Sequence, residues 1–494
     1  MAANAYGATW PASGWQRPSA IAESSMVSSS HPLVTQAGLR VLERGGNAAD
    51  AALAMAATAT IAEPNTNGLG GDMFAMVWKD GRLDGLNASG RSAAELRSSS
   101  VAPTGPDSIT VPGALRGWAD LADRYGRFGL DQALVAAADL ADHGVLCTSR
   151  IADFWVLADV APWPAPGAGN LYRLPELART LRAVAEDGPD AFYRGDIARR
   201  IASCCALGED DLAQHVSEWV EPLRLRYRGI EVCELPPNGQ GAAALHALAL
   251  FDGLNAGLHN EIEAMKLAFM DAYAHIADAP LPMELFDEAN LARRRGLLST
   301  TGAGSPPASK LGDADTVYLC AVDADGMAVS LIQSLYMSFG SGVVAPGTGV
   351  VMQNRGACFT DVPGHPNALA PRKRPFHTIM PGMLLRDGAL LGPFGVVGGA
   401  MQPPAHFQLV NHVVQEVPPQ AALDAPRWRL LDDWAVEVEP GLAGEVETLR
   451  SLGHRVDVGT SPHPFGAGQI VLRAEGGGLI GGSDGRADGY AAGV

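Results

Sequence analysis

Three short motifs in this sequence have residue types that could do chemistry: a glycine-rich loop, an Asp-Thr pair and a Gly-Gly pair. The loop, Gly68-Leu69-Gly70-Gly71-Asp72, resembles a phosphate-binding loop in composition. It precedes a predicted strand instead of opening a helix, so we interpret it as a tight turn. The chain contains no Gly-Lys-Ser/Thr phosphate loop, His-Glu-x-x-His motif or Gly-x-Ser-x-Gly elbow. The sequence therefore gives no support for nucleotide hydrolysis, zincin chemistry or the usual serine-hydrolase site.

The Asp315-Thr316 pair lies at the head of a predicted strand. Taken alone, it indicates only a threonine in a β-forming segment, which is the commonest role of this residue. It becomes specific through the motifs that follow it in order, DADGMAVS at 323–330, FGSGVV at 339–344, PGTG at 346–349 and Arg374-Pro375. In these motifs the sequence resembles the γ-glutamyltranspeptidase family of N-terminal-nucleophile hydrolases. The resemblance covers nearly the whole chain, from SSSHPL at 28–33 to GSDGRADG at 482–489.

This resemblance implies both a fold and a maturation step. The implied fold is α+β, a four-layer αββα sandwich, made as an inactive precursor. The precursor would cut its own bond between Asp315 and Thr316. The products would be a large, α-rich subunit of residues 1–315 and a small, β-rich subunit of residues 316–494 that begins with the nucleophile. The two would form a heterodimer and one structural unit, and a dimer of such pairs is left open.

The resemblance also assigns catalytic roles. A threonine hydroxyl is a poor nucleophile at neutral pH, but a free α-amine, with a reference pKa of roughly 7.7–8.0, can act as its base. Thr316 would gain that amine only after the cut, and would then carry the acyl group until water or an acceptor amine removes it. Gly398 and Gly399 match the glycine pair whose backbone N–H groups stabilise the oxyanion. Ser334 matches a hydroxyl residue that hydrogen-bonds the nucleophile.

The chain departs from the family where γ-glutamyl donors are held. Where the family has an acidic contact to the donor's α-amino group, this chain has Cys358, and Arg355 lies three residues before it. An ammonium group without its carboxylate partner is costly in a desolvated pocket, so a zwitterionic γ-glutamyl donor should bind poorly. The pattern resembles the branch that includes glutathione hydrolase-like proteins, cephalosporin acylases and oxamate amidohydrolase.

Several other residues are candidates for contact with substrate. Arg355 and Arg91 could each pair with a substrate carboxylate, because a guanidinium matches it bidentately. The alternative for each is an ordinary structural or surface arginine. His377 and Thr378 replace the family's Ser-Ser pair, and His377 is either a polar wall of the acyl pocket or a hydrogen-bonded core residue. Tyr336 replaces a family asparagine, and an aromatic residue at this position indicates a packing role more than a catalytic one.

We therefore expect a self-processing amide hydrolase that acts on a carboxylate-bearing amide without a γ-glutamyl α-amino group. It would need no cofactor and no metal. One alternative is a true glutathione hydrolase or γ-glutamyltransferase. Another is an uncut, non-catalytic binding protein, although retention of Thr316, Ser334 and the glycine pair argues against it.

Composition limits the partners that this chain could have. Its 494 residues are 47% hydrophobic and 18% charged, which is typical of a large globular enzyme. A net charge of −18 without a basic run argues against binding to nucleic acid or to anionic membranes. None of the six cysteines has the spacing of a zinc site. The chain shows no signal-peptide pattern or apolar span, so a cytoplasmic location is expected.

The elements that must position these residues can be outlined from sequence patterns. A helix is predicted from His31 to Gly45-Gly46, followed by an Ala-rich interior helix that Asn47 caps. Strands on either side of Asp80-Gly81 form a predicted hairpin. The middle of the chain, from about 115 to 270, has mainly helical periodicity, with examples at 115–125, 130–143 and 261–277. The last third is predicted to be rich in strands, with helical and sheet layers packed together.

Overall fold

The computed structural model describes Gly14 and residues 17–96, 98, 100–298, 302–304 and 315–494. Within these residues fourteen of the nineteen strands form two seven-stranded sheets that pack face to face, and helices cover the outer face of each. The strands are β1 (Ala20–Ala22), β2 (Met26–Ser29), β3 (Asp72–Lys79), β4 (Arg82–Ala88), β5 (Val145–Leu146), β6 (Leu171–Tyr172), β7 (Glu218–Val220), β8 (Leu223–Tyr227), β9 (Ile230–Glu234), β10 (Asp315–Val322), β11 (Ala328–Tyr336), β12 (Gly382–Arg386), β13 (Ala389–Val396), β14 (Trp428–Leu430), β15 (Val436–Val438), β16 (Val456–Val458), β17 (Gly468–Arg473), β18 (Leu479–Ser483) and β19 (Ala491–Gly493). The five strands outside the two large sheets form a three-stranded sheet, β14-β15-β16, and a two-stranded sheet, β5-β6.

Helices occur along the whole described chain, including the part that follows Thr316. They are α1 (Pro32–Glu43), α2 (Ala48–Ala62), α3 (Ala114–Tyr125), α4 (Leu130–His143), α5 (Ser149–Leu157), α6 (Pro175–Asp187), α7 (Asp190–Tyr193), α8 (Gly195–Ala202), α9 (Glu209–Ala213), α10 (Gly241–Phe251), α11 (Leu258–His275), α12 (Glu288–Arg295), α13 (Gln402–Val414), α14 (Pro419–Asp424) and α15 (Val446–Ser451).

Both large sheets are built from strands on either side of the Asp315–Thr316 bond. One sheet has the order β1-β18-β17-β13-β12-β9-β8 and the other β19-β2-β10-β11-β3-β4-β7. The expectation of a helical first part followed by a sheet-rich part agrees with the elements, since twelve of the fifteen helices in the described residues precede β10 and ten of the nineteen strands begin with it. The two parts are not separate layers, however, because early strands pair directly with late ones: β2 with β10, β3 with β11 and β9 with β12. The residues before and after the bond share one core.

Strand alternation explains how the four layers hold together. In β10, Val317 and Leu319 face the helices α1 to α4, whereas Tyr318 and Cys320 face the other sheet. On the far side, α10, α11 and α13 pack against the outer face of the first sheet. The predicted four-layer αββα arrangement is confirmed. No helix in the described part of the chain is long and apolar enough to cross a membrane.

Several local predictions are confirmed in detail. The helix predicted from His31 is α1, which begins at Pro32 and has the His31 side chain as its cap. The predicted cap Asn47 forms a capping box with Asp50 at the start of α2. Every residue of α2 is buried, as its uniform apolar composition predicts. Asp80 and Gly81 both have positive φ, the geometry of a tight hairpin turn.

The middle of the chain is less helical than its periodicity predicts. The helix expected at 261–277 is α11, which begins at Leu258 and ends at His275. Strands β7, β8 and β9 in the range 218–234 were not predicted at all. β8 alternates Leu and Arg at the edge of its sheet, where polar side chains reach solvent, and it forms a hairpin with β9 across a turn at Arg228 and Gly229, which both have positive φ. Local strand and turn signals were therefore present in this region.

Candidate active site

The Asp315–Thr316 bond lies at the start of β10, beside Ser334 of β11. The Thr316 Oγ1 donates a hydrogen bond to the Ser334 Oγ at 3.3 Å, and the Ser334 Oγ donates to the Asp315 carbonyl oxygen at 2.7 Å. The backbone N–H of Tyr336 donates to the same Ser334 oxygen at 2.8 Å, which fixes its orientation. Ser334 therefore joins the hydroxyl of Thr316 to the carbonyl of the preceding peptide bond.

An irregularity in strand pairing produces this arrangement. β10 and β11 are antiparallel, and their register shifts between Asp315 and Val317, where the single Thr316 opposes both Ser334 and Leu335. A two-against-one bulge turns side chains away from the regular alternation and is frequent beside active sites. Here it brings two hydroxyl groups together at the end of a buried strand.

Gly398 and Gly399 have backbone conformations that a side chain would strain. Their φ angles are 125° and 59°, and a Cβ on Gly398 would lie 3.1 Å from the Cα of Gly466. Among the described residues, neither amide N–H of the pair has a hydrogen-bond acceptor. Two unbonded N–H groups on a turn that only glycine adopts without strain are the kind of donor pair that can stabilise an oxyanion.

The packing of β13 on β10 brings this glycine pair toward Thr316. The Ser330 Oγ reaches the Phe394 carbonyl oxygen at 3.5 Å, and a Cβ on Gly395 would lie 2.5 Å from the ring of Tyr318. The Ser330 and Tyr318 hydroxyls are themselves hydrogen-bonded at 2.8 Å, so both contacts mark one point where β13 crosses β10 and β11. Thr316 lies two residues before Tyr318, and the glycine pair begins three residues after Gly395.

Arg355 is fully buried and only partly bonded. Its Nη1 donates to the Thr378 Oγ1 at 2.9 Å and to the Cys358 Sγ at 3.7 Å, and its guanidinium carbon lies 4.3 Å from the centre of the Tyr336 ring. Within the described residues, its Nε and Nη2 have no hydrogen-bond partner. A buried cation with two unused donors is costly unless an anionic ligand completes it. Tyr336, which it stacks on, has a φ of 81°, which is unusual for an aromatic residue.

His377 is a buried, hydrogen-bonded histidine paired with Asp72. Its Nδ1 accepts the N–H of Ile379 at 3.3 Å, so its Nε2 carries the proton and donates to the Asp72 Oδ2 at 3.1 Å. Burial and the nearby Arg355 hold the pKa of His377 well below its usual value. The ring is therefore neutral at physiological pH.

Asp72 is a buried carboxylate at the end of the glycine-rich loop, where the sequence indicates only a turn. Burial raises its pKa to about 7, against the opposing effect of the Arg355 charge. Its Oδ1 accepts hydrogen bonds from the N–H groups of Gly90 and Gly113 and from the Gln353 side chain. The carboxylate therefore supplies negative charge near Arg355 without forming a direct ion pair with it.

Arg91 has a different environment from Arg355. Its Nη1 lies 2.5 Å from the Asp278 carboxylate, and its Nη2 lies 3.2 Å from that of Glu218. The side chain is 38% exposed. Because two carboxylates already pair with this guanidinium, a substrate carboxylate would have to compete with both of them.

Gln240, which the sequence analysis did not single out, completes the site. Its Nε2 donates to the carbonyl oxygens of Thr378 at 2.6 Å and Gly399 at 2.9 Å. The only local signal was a polar residue at the N-cap of a wholly buried, apolar α10. The backbone N–H of Gln240 also donates to the His377 carbonyl oxygen at 3.0 Å. Direct contacts through Gln240 therefore join all the predicted site residues except Gly398 and Arg91, in the order Asp315, Thr316, Ser334, Tyr336, Arg355, Thr378, Gln240 and Gly399, with His377 attached to Gln240.

One group of side chains has the composition of a metal site but lies elsewhere. His259, Glu263 and His454 place their ligand atoms within 4.8 Å of one another. The two histidines hydrogen-bond each other at 2.7 Å, and the Lys266 ammonium lies 2.9 Å from the Glu263 carboxylate. The lysine thus already supplies the positive charge that Glu263 requires, so these residues do not favour a metal ion.

The sequence profile of the family described as Gamma-glutamyltranspeptidase matches residues 34–494. The chain belongs to the γ-glutamyltranspeptidase family. It is thus an N-terminal-nucleophile hydrolase of the amidohydrolase and acylase type, and the identification of its family and branch from sequence motifs is confirmed.

Relatives of this γ-glutamyltranspeptidase-family enzyme include proteins with different named substrates. A glutathione hydrolase-like YwrD proenzyme of Bacillus subtilis is 35% identical over 96% of this chain and 99% of its own. An oxamate amidohydrolase proenzyme of Klebsiella pneumoniae is 35% identical over 94% and 97%. The crystal structure of a cephalosporin acylase from Bacillus halodurans superposes with a TM-score of 0.91 at 40% identity, covering 97% of both chains.

Proposed function

We propose that this chain is a self-cleaving amide hydrolase whose Thr316 attacks small or medium amides that carry a carboxylate. The hydrogen-bonded link from Thr316 through Ser334 to the Asp315 carbonyl is the observation that carries the proposal. In this link the Thr316 hydroxyl, which would be the nucleophile, and the carbonyl that Ser334 hydrogen-bonds belong to the two residues of one peptide bond.

That geometry supports the following mechanism for the cut. The Thr316 Oγ1 adds to the carbonyl carbon of Asp315, while the Ser334 hydroxyl stabilises the oxygen that becomes negative. The C–N bond then breaks and its nitrogen gains a proton, which leaves an ester between Asp315 and the Thr316 oxygen. Water hydrolyses the ester to give a carboxyl-terminal Asp315 and a free Thr316 amine. The two fragments remain together as a heterodimer because they share both sheets.

Turnover uses the new amine as the base. It removes the proton from the Thr316 hydroxyl as that oxygen attacks the substrate amide, and it returns a proton to the leaving nitrogen. The N–H groups of Gly398 and Gly399 stabilise the tetrahedral oxyanion. Water then attacks the resulting threonyl ester, which releases the acid and regenerates the free hydroxyl.

The buried Arg355 favours a carboxylate in the acyl part of the substrate. Its unused Nε and Nη2 provide two donors in a planar fork, which matches a carboxylate. Cys358 lies beside this arginine and provides no carboxylate for an α-ammonium group. Oxamate, named in the Klebsiella relative, is an amide with a carboxylate directly attached, which agrees with this chemistry. Glutathione hydrolysis is the second candidate, favoured by the name of the Bacillus subtilis relative.

We expect purified active protein to consist of two fragments. A cut between Asp315 and Thr316 gives 315 residues and leaves 179 of the 494 in the smaller piece. Intact-mass measurement, with amino-terminal sequencing of the smaller fragment, should show Thr316 as its first residue. Freshly prepared protein that is active but consists of one uncut chain would contradict the mechanism.

Lower pH should favour hydrolysis of an amide that carries a carboxylate over hydrolysis of its neutral carboxamide analogue. Protonation of Asp72 near pH 7 removes a negative charge close to Arg355, so a substrate carboxylate binds with less competition below that pH. We expect the ratio of kcat/KM for a carboxylate amide to that for its neutral carboxamide analogue to rise by up to about tenfold from pH 8 to pH 6.

Because both substrates use the same Thr316 amine, the ratio removes the effect of that amine's own titration. In Asp72→Asn the ratio should not change with pH. If this kcat/KM ratio did not change with pH in the unmodified enzyme, protonation of Asp72 would have no effect on substrate binding.

A further inference from the structure

The side chain of Gln240 connects two parts of the site that come from different segments of the chain. We propose that Gln240 is a positioning residue, which holds the Gly398-Gly399 turn in place relative to the acyl pocket by bonding Gly399 and Thr378 together. The inference rests on the proposed function, because it assigns the oxyanion role to the glycine pair.

The geometry around Gln240 shows how firmly this connection is made. The side chain is buried, and its single Nε2 donates to the carbonyls of both Thr378 and Gly399. Its own backbone N–H donates to the His377 carbonyl oxygen at 3.0 Å, and the His377 N–H donates to the Asn238 carbonyl oxygen at 2.9 Å. The segment before α10 is thus fixed to the segment that carries Thr378, and the Gln240 side chain extends from there to the glycine turn.

A glycine turn needs such a tether more than other turns do. Glycine has a wide range of accessible φ and ψ, so a Gly-Gly turn does not hold its own N–H groups in one direction. The hydrogen bond to the Gly399 carbonyl restrains the residue whose N–H would face the oxyanion. The other bond of the same NH₂ group holds Thr378, whose hydroxyl accepts from Arg355. One amide therefore sets the distance between the oxyanion donors and the carboxylate site.

Only a group with two donors can make this connection. A glutamate at position 240 would place an anion against two carbonyl oxygens, whereas a protonated glutamic acid would restore one of the two bonds. A buried glutamate is expected to have a raised pKa, so its protonation occurs within a usable pH range. The activity of a Gln240→Glu variant should therefore depend on pH if Gln240 acts through hydrogen bonds, and should not depend on pH if it acts only by packing.

The test compares Gln240→Glu and Gln240→Met with unmodified enzyme and with a matched control. The control is Gln408→Glu, because the Gln408 Nε2 also donates to two backbone carbonyls, those of Pro404 and Trp428, in a buried setting outside the site. Kinetics are measured on the cut protein with a carboxylate amide from pH 8 to pH 5.5. The cut itself and turnover by the unmodified enzyme test the proposed function independently.

We expect kcat to fall by about 10- to 100-fold in both Gln240 variants, with KM changed by less than about threefold. Relative to unmodified enzyme, kcat of Gln240→Glu should recover as the pH falls, whereas Gln240→Met should not recover. Gln408→Glu should keep nearly full kcat with no such trend. A pH-independent ratio for Gln240→Glu, or normal kcat in Gln240→Met, would overturn the proposal. So would Gln240 variants that remain uncut while the Gln408 variant is cut, since Gln240 would then act before turnover.

Discussion

Replacing Thr316 by alanine should leave one uncut chain of 494 residues with no amide hydrolysis. The hydroxyl removed by this change is the atom that would attack the Asp315 carbonyl in the precursor and the substrate carbonyl in the mature enzyme. Without the cut, the backbone nitrogen of residue 316 remains an amide and cannot act as a base. We therefore expect a loss of about 10⁴-fold or more in kcat, together with a single species in the intact mass.

A serine at position 316 is the appropriate control. Thr316→Ser keeps the hydroxyl that donates to Ser334 and removes only a methyl group, so this variant should still be cut and should retain measurable turnover. Thermal unfolding of the alanine variant would establish that it is folded. If Thr316→Ala protein were cut at the same bond, or still hydrolysed the substrate, another residue would have to be the nucleophile.

Sequence patterns were sufficient for the elements whose conformation is decided locally. The capping box of Asn47 with Asp50 and the turn at Asp80 and Gly81 depend on residues next to one another in the chain. The same is true of α2, where a uniform apolar composition directly implies burial on all sides. The order of strands in the sheets is not local information. It depends on pairings such as β2 with β10, between segments nearly 300 residues apart, which no hydrophobic period specifies.

The candidate site divides in the same way. Thr316, Ser334 and the glycine pair were found because each lies within a motif. Asp72 and Gln240 were not found, because an aspartate after a glycine loop and a glutamine before a helix have ordinary local explanations. Their roles come from contacts with His377 and Gly399, which are 305 and 159 positions away in sequence. Arg91 shows the opposite case, because its position suggested a substrate contact whereas its side chain pairs with two carboxylates.

The net negative charge of the chain affects how the candidate site could bind an anionic substrate. A chain with a net charge of −18 repels an anionic substrate at long range, so selective binding of a carboxylate requires a local positive group. Burial provides this for Arg355, because a charge removed from water interacts more strongly with a nearby anion than an exposed charge does. The exposed and already paired Arg91 lacks that advantage.

Replacing Arg355 by glutamine should therefore weaken binding of a carboxylate amide much more than binding of its neutral analogue. Loss of a buried charge pair typically costs about 3–5 kcal/mol, which corresponds to a rise in KM of about 100-fold or more. The neutral carboxamide analogue should show a change of less than about threefold. Steady-state kinetics with the two substrates, on protein confirmed to be cut, measures the difference directly.

Three further measurements decide whether this effect belongs to Arg355 alone. Arg355→Lys keeps the charge but loses the planar fork, so its KM should lie between those of the unmodified enzyme and the glutamine variant. In Arg91→Gln an equal or larger rise in KM would assign the substrate carboxylate to Arg91 instead. A γ-glutamyl anilide tests the second candidate function, because Cys358 provides no carboxylate for its α-ammonium group. Efficient turnover of that anilide at low concentration, unaffected by Arg355→Gln, would make glutathione hydrolysis the better assignment and leave the buried guanidinium without a substrate role.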